Sequence, residues 1–232
     1  TRRGTGPAHL SAWARGGTYG TREGELSALG GSERFGYSLS AAQHNTNGIY
    51  DVNSAARNGT YSARLRLTPD ARSDVSLTLR YVDAGAHIAT NSNGVPNDSN
   101  QTHTERRFIG SLDAGRFFTS RLEGRVSLGA TDADARSEDR PDSPDDSDFP
   151  FDSRSRLYRR TADARLTFHL APDVTITGGA SYETQHQRST GNNPEERTVR
   201  AGYAQLAGTS FSRLSYTGGI RLDHNSTFGD FT

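Results

Sequence analysis

Hydrophobicity alternates with a period of two along almost the whole chain. Residues 60–67 place Tyr61, Ala63, Leu65 and Leu67 on one face and Ser62, Arg64 and Arg66 on the other. Residues 74–82 set Val75, Leu77, Leu79 and Tyr81 opposite Ser76, Thr78 and Arg80. Leu122 to Ala130, Ala162 to Leu170, Val174 to Tyr182 and Leu214 to Leu222 do the same. Successive side chains of a strand point to opposite faces, so this pattern predicts strands with one apolar and one polar face. No segment sustains a 3.6-residue period, so essentially no helix is expected. Eleven strands are predicted, near 8–19, 24–30, 35–45, 60–67, 74–83, 105–115, 121–131, 156–170, 174–186, 197–207 and 213–223. At 197–207 either Val199, Ala201 and Tyr203 or Gly202, Ala204 and Leu206 could form the apolar row.

The connections alternate in length. One set is short: 31–34, 68–73, 116–120, 171–173 and 208–212. The other set is mostly long, at roughly 46–59, 84–104, 132–155 and 187–196, with only 20–23 tight. Short turns at one end and long loops at the other are the pattern of transmembrane β-barrels. Several predicted strands reach the 9–11 residues that a tilted strand needs to cross a bilayer. Aromatics gather near strand ends (Tyr19, Phe35, Tyr37, Tyr61, Tyr81, Phe117, Phe118, Phe168 and Tyr182), as an interfacial girdle requires. A soluble β-sandwich or binding module, its apolar faces turned to a packed core, is the alternative architecture.

Composition is compatible with the barrel. Only 31% of the 232 residues are hydrophobic, which excludes membrane-spanning helices, but half of each barrel strand faces a polar interior. There is no Cys, so neither a disulfide framework nor a thiolate metal site exists. The formal net charge is zero, although all 27 basic residues are Arg, and a nucleic-acid partner is not expected. The chain has no Met, and eleven strands cannot close an even-numbered barrel. The expected architecture is therefore an all-β, antiparallel transmembrane barrel in part, with residues 1–232 as a fragment and the last strand lacking a partner.

Several stretches resemble TonB-dependent outer-membrane receptors of the vitamin-B12 (cobalamin) branch. Thr1-Arg2-Arg3-Gly4 with Pro7 looks like the junction between plug and barrel, and Gly16-Gly17-Thr18-Tyr19-Gly20-Thr21 like the first barrel hairpin. Ser32-Glu33-Arg34-Phe35-Gly36-Tyr37-Ser38-Leu39-Ser40, with Asn47-Gly48-Ile49, resembles the second periplasmic turn and third strand. Arg221 to Thr232 resembles a mid-barrel stretch. The resemblance implies a barrel of about 22 strands holding an N-terminal plug, of which this chain would be the first half. It also implies the outer membrane of a Gram-negative-type bacterium and energised uptake of a scarce ligand of cobalamin or siderophore type. The partners implied are the plug domain, the remaining strands, TonB through the plug, membrane lipid and a small organic or metal-chelate ligand. The sequence carries no TonB box. A passive porin-like channel is the runner-up.

Three groups of residues are candidates for function. Arg64, Arg66, Arg80, Glu123, Arg125, Asp163, Arg165, Arg221 and Asp223 fall on the polar row, where they would face the lumen and the plug. Tyr50, Tyr81, His87, Asn91, Asn93, His103 and Phe149 lie on the long-loop side, where a ligand arrives first. Residues 132–152 contain nine acids against Arg136 and Arg140, so Asp139, Asp142, Asp145, Asp146 and Asp148 are candidates for binding Ca²⁺, a hard cation that takes oxygen ligands. The plainer reading is a solvated surface loop. No catalytic residue is assigned: the seven His form no metal-binding pair, and no nucleophile elbow or phosphate loop occurs. An enzyme is not expected, nor any cofactor other than calcium.

Overall fold

The computed structural model describes residues 6–91, 93–144, 150–210 and 214–231. Within them the alternating segments form β1 (His9–Gly16), β2 (Arg22–Gly31), β3 (Phe35–Thr46), β4 (Ala56–Asp70), β5 (Ser73–His87) and β6 (Thr102–Phe117). They continue as β7 (Leu122–Asp139), β8 (Phe151–Ala171), β9 (Val174–Ser189), β10 (Glu195–Ser210), β11 (Leu214–Asn225) and β12 (Gly229–Phe231). The strands lie in chain order in one 12-stranded antiparallel sheet that does not close on itself. No helix occurs among the described residues. Thr1 to Gly4, which carry part of the family resemblance, lie outside them, as does Phe149.

Two expectations are corrected. The chain has a short twelfth strand, in which Phe231, Asp230 and Gly229 pair with Asp223, His224 and Asn225 of β11; the rest of that edge stays open, as expected of a partial barrel. The Asn225 side chain, accepting the Thr227 N–H at 2.9 Å, makes the intervening turn. The long connections are also shorter than composition suggests, because strands run on past the point where apolar alternation ends. Residues 132–139 and 151–155, expected in a loop, are paired strand from Asp132↔Tyr158 to Asp139↔Phe151. Hydrophobic alternation ends where the outward face no longer needs to be apolar, whereas backbone pairing does not.

Register sorts polarity cleanly. One rung runs Val75–Ala114–Val126–Ala164–Ala180–Gly202–Leu222, and the next runs Ser76–Asp113–Ser127–Asp163–Ser181–Ala201–Asp223. This settles the ambiguous strand: Gly202, Ala204 and Leu206 belong to the apolar row. Side chains of the polar row reach across an intervening strand, as Arg125 of β7 does to Asp74 of β5 at 2.9 Å and Tyr203 of β10 to Asp163 of β8 at 3.1 Å. Such convergence marks the polar row as the concave face. The apolar row is convex, and none of the described elements packs over it.

Burial decides what medium meets that convex face. Among the described residues the only buried apolar ones are Ala89 and Ala201, while Leu26, Leu166 and Ile220 are 59%, 54% and 58% exposed. No second layer makes a sandwich core, so the apolar surface suits hydrocarbon. On β7 the outward row is uncharged from Leu122 to Ala130, about 27 Å of strand, or roughly 20 Å along the membrane normal at the usual tilt. The outward rings of Tyr61 and Tyr81, with centroids 6.2 Å apart, close the band at the long-loop end, and Phe108 continues their rung. Phe118 and Phe168 stand near the other end. Phe117 belongs elsewhere: its parity is concave, where it stacks on His169 at 6.2 Å.

This assignment predicts that Leu128→Arg destabilises the membrane-inserted protein by about 2–4 kcal/mol. Ser111→Arg, at similar depth on the concave face, should cost little. Urea unfolding in bilayers checks the contrast; equal penalties would contradict the faces assigned.

Candidate functional site

All nine residues expected on the polar row stand on the concave wall. Arg125 is the hub of one group, with Asp74 at 2.9 Å, Glu123 at 3.3 Å and Asp113 in direct contact. Ser127 donates to the other oxygen of Asp113 at 2.6 Å. A second group lines an open cavity of about 510 Å³ across β7 to β11. There Asp163 accepts from the Tyr203 hydroxyl and lies 3.7 Å from Arg165. Arg221 holds Asp223 at 2.8 Å, donates to Ser181 and stacks 5.8 Å over the Tyr203 ring. Tyr203 reaches across β9 because its cross-strand partner is Gly179; a Cβ there would lie 2.5 Å from the ring. Above this, Glu183 takes both Arg159 at 2.5 Å and Arg197 at 3.1 Å. Each pair is modest alone, being half-solvated, and the shared network is what fixes the side chains.

Arg64, Arg66 and Arg80 differ. They occupy three alternate rungs of β4 and β5, opposite Thr78, Ser76 and Ser62. Among the described residues none of the three has a hydrogen-bonding or ion-pair partner. Their neighbours on the concave face are short hydroxyl side chains, including Ser38, Ser40 and Ser111. The nearby carboxylates Asp74 and Asp113 are already held by Arg125. The result is a column of unmatched positive charge on a wall whose other charges are mostly paired.

The long-loop end is tied together by two asparagines. Asn53, at a positive φ of 32°, donates through Nδ2 to the carbonyls of Ile88 at 3.1 Å and Gln101 at 3.0 Å. Its Oδ1 lies 2.7 Å from His87 Nδ1. This joins loop 47–55 to loop 88–101. Asp98, only 4% exposed, closes the second loop by accepting the N–H groups of Asn100 and Gln101. Asn100 clamps the backbone of Arg140, donating to its carbonyl and accepting its N–H, each at 2.9 Å. Asp142 accepts the Ser99 N–H at 2.9 Å and the Ser99 hydroxyl, joining the third loop.

The expected ligand contacts are therefore dispersed. His87 is bound into this loop knot, and Tyr50, whose N–H donates to Ser54 Oγ at 3.2 Å, lies in its first loop. Asn91 accepts the Asn93 N–H at 3.0 Å and shapes its own turn. His103 is 2.8 Å from Ser137 on the concave face. Tyr81 is on the convex face, its ring tilted against that of Tyr61, pointing away from the lumen. Of the calcium candidates, Asp139 is mostly buried and Asp142 is engaged by Ser99 and Asn100. Asp145, Asp146 and Asp148 lie outside the described residues. Among those described, no three acid or His groups are placed to hold a metal ion. Sequence reasoning missed Asn53, Asp98 and Asn100; the run Asn97-Asp98-Ser99-Asn100, dense in turn-forming side chains, was the available signal.

Beyond the tyrosine rung the convex row becomes charged. One rung runs Asp83–Arg106–Asp134–Arg156–Arg188. Arg57 and Arg106 share Asp83 at 3.2 and 3.7 Å, and Arg154 and Arg156 share Asp134 at 2.6 and 2.9 Å. On the tyrosine rung itself Asp132 pairs at 3.0 Å with Arg160, which reaches up from the rung of Ala130.

Asp142 supplies a pH test of the loop knot. The Ser99 hydroxyl and N–H, then Asn100, lower its pKa below the ordinary 3.8. A depressed carboxyl stabilises the folded form above its unfolded pKa and loses that contribution as pH falls through the folded value. Amide-exchange protection at Ser99 and Asn100, corrected for intrinsic rates, should stay constant from about pH 7 to 5 and collapse only in acid below 3.8. Loss near pH 6 would contradict the Asp142 clamp.

No protein-family model matches the sequence, and no curated protein matches it. Solved structures do. The copper transporter OprC superposes with a TM-score of 0.70 at 17% identity, over 97% of this chain and 38% of that one. The ferric preacinetobactin receptor BauA from Acinetobacter baumannii gives 0.67 at 13% identity, over 98% and 43%. The siderophore receptor PirA from the same organism gives 0.66 at 12% identity, over 100% and 40%. This chain thus spans about two-fifths of the length of these proteins. At such identities the likeness is one of fold: the chain folds as a contiguous part of the barrel wall that these transporters and receptors share.

Proposed function

We propose that this chain is barrel wall of an outer-membrane, TonB-dependent receptor that imports a scarce small organic or metal-chelate ligand, of siderophore or cobalamin type. Its place would be the outer membrane of a Gram-negative-type bacterium. The observation that carries the reading is the lumen wall. Most of its charges are matched among themselves, and among the described residues Arg64, Arg66 and Arg80 form a column that is not. Arginine patches also line passive anion pores; in a receptor the same column meets carboxylates offered by a second polypeptide filling the lumen. The barrel fold shared with copper and siderophore transporters supports the same reading. In this account the loops knotted through Asn53, Asn100 and Asp142 meet the ligand, the wall seats the plug, and TonB acts through the plug. The task is gated passage, without bond chemistry.

Two measurements test it. Uptake of labelled ferric siderophore or cobalamin by cells carrying the intact protein should saturate and stop when the proton gradient is dissipated. Uptake proportional to concentration and indifferent to energy would establish a passive channel. Replacing Arg64 and Arg66 by Gln removes charge-assisted contacts worth roughly 1–3 kcal/mol each, so leakage of bulky hydrophilic antibiotics should rise about tenfold with ligand preference unchanged. A changed preference without leakage would assign the column to the ligand instead.

A further inference from the structure

Three consecutive long loops are joined at the outer end of the wall by hydrogen bonds that strand pairing does not require. Asn53 of the first loop donates to the carbonyls of Ile88 and Gln101, at the two ends of the second. The second loop is closed across its neck, with the Ile88 N–H on the Gln101 carbonyl at 3.0 Å and the Asp98 N–H on the Ala89 carbonyl at 2.9 Å. Ala89 and Asp98 are each only 4% exposed, below Ala201 and Asp139 at 8%, so the most deeply buried side chains of this nearly coreless sheet lie in a loop. The third loop is held through Asn100 on the Arg140 backbone and through Ser99 and Asn100 on Asp142. Loops that order only when ligand arrives have few buried contacts and solvent-exposed backbone hydrogen bonds. These three have the opposite character.

We propose that loops 47–55 and 88–101, with residues 140–142, form one preassembled rim that captures ligand without parting or closing, and that Asn53 is its positioning residue. A loop ordered by its ligand loses part of the interaction free energy to its own ordering, whereas a rim held in advance does not. Asparagine suits the post for two reasons. Its backbone, at a φ of 32°, is in the left-handed region that Asn tolerates. Its amide meets two carbonyls with Nδ2 and His87 Nδ1 with Oδ1. The bonds run in series through Asn53, Asp98, Asn100 and Asp142, so releasing one link loosens the others with it. Passage of ligand into the lumen then needs no movement of these three loops against one another. The inference rests on the receptor reading above and names its mode of capture, not its ligand.

The chain has no Cys, so the pair Ser99→Cys, Asp142→Cys can be introduced into the intact protein and oxidised, joining side chains that already touch. The oxidised pair should import labelled ferric siderophore or cobalamin within about twofold of wild type. Uptake that stops on oxidation and returns with reductant, or a pair that oxidant fails to join, would overturn the proposal and leave the receptor reading standing. Asn53→Gly keeps the left-handed backbone and removes the clamp, so half-saturation should rise about tenfold with the maximal rate unchanged. An unchanged half-saturation, or a fall in maximal rate alone, would overturn it too. Amide exchange in the same Gly variant should show protection at Ser99, Asn100 and Arg140 falling together by a common factor. A fall confined to the neighbours of Asn53 would contradict a single rim. If wild type shows no energised uptake, that failure belongs to the receptor reading, and amide exchange judges the rim. Should the Gly variant fail to insert, the cross-linked pair decides.

Discussion

In hydrocarbon every backbone N–H and C=O must find a partner within the protein, because no water is present to supply one. A continuous antiparallel ladder meets that requirement for β2 to β10, the strands paired along both sides, and fixes everything else by parity. Once register is set, odd and even positions of each strand are committed to opposite faces, and a slip of one residue would exchange them all. The rungs Val75 to Leu222 and Ser76 to Asp223 show that commitment held over seven strands. The near absence of a protein core follows from the same constraint. Apolar residues are spent on the lipid face, and cohesion comes from the ladder and from the paired charges of the concave wall.

Much of this was readable in the sequence because the period of two is a local signal. Strand positions, the short and long ends and the polar lumen row all follow from it. The limits are equally physical. Past Tyr81, Ala130 and Ala162 the outward row turns charged, so alternation of hydrophobicity disappears while alternation of direction persists. Residues 132–139 therefore read as an acidic loop, although Asp132 and Asp134 are cross-strand partners of arginines. In β10 both rows hold small or apolar residues, and only pairing with Ile220 and Arg221 tells them apart. The loop knot was hidden because it depends on a single amide, Asn53, bridging residues 35 and 48 positions away.

Charge distributes itself in three regimes along the same strands. On the concave wall it is mostly self-matched and serves order. At Arg64, Arg66 and Arg80 it is unmatched and faces the lumen. On the convex face beyond the tyrosines it is matched in part, with repeated arginine-against-arginine rungs. Composition, with net charge zero, averages these regimes away. Their separation becomes visible only when each residue is assigned a face and a height.

The absence of native Cys allows a direct test of that assignment. Single cysteines placed at successive positions of β7 from Leu122 to Asp139 can be probed, in the intact protein in bilayers, with a membrane-impermeant thiol reagent and a lipid-borne quencher. The account predicts quenching with blocked labelling at Leu122, Gly124, Val126, Leu128 and Ala130, and the converse at the residues between them. From Asp132 onward both rows should react with the aqueous reagent. Outward positions labelled as fast as their concave neighbours, or a loss of the two-residue period, would contradict it.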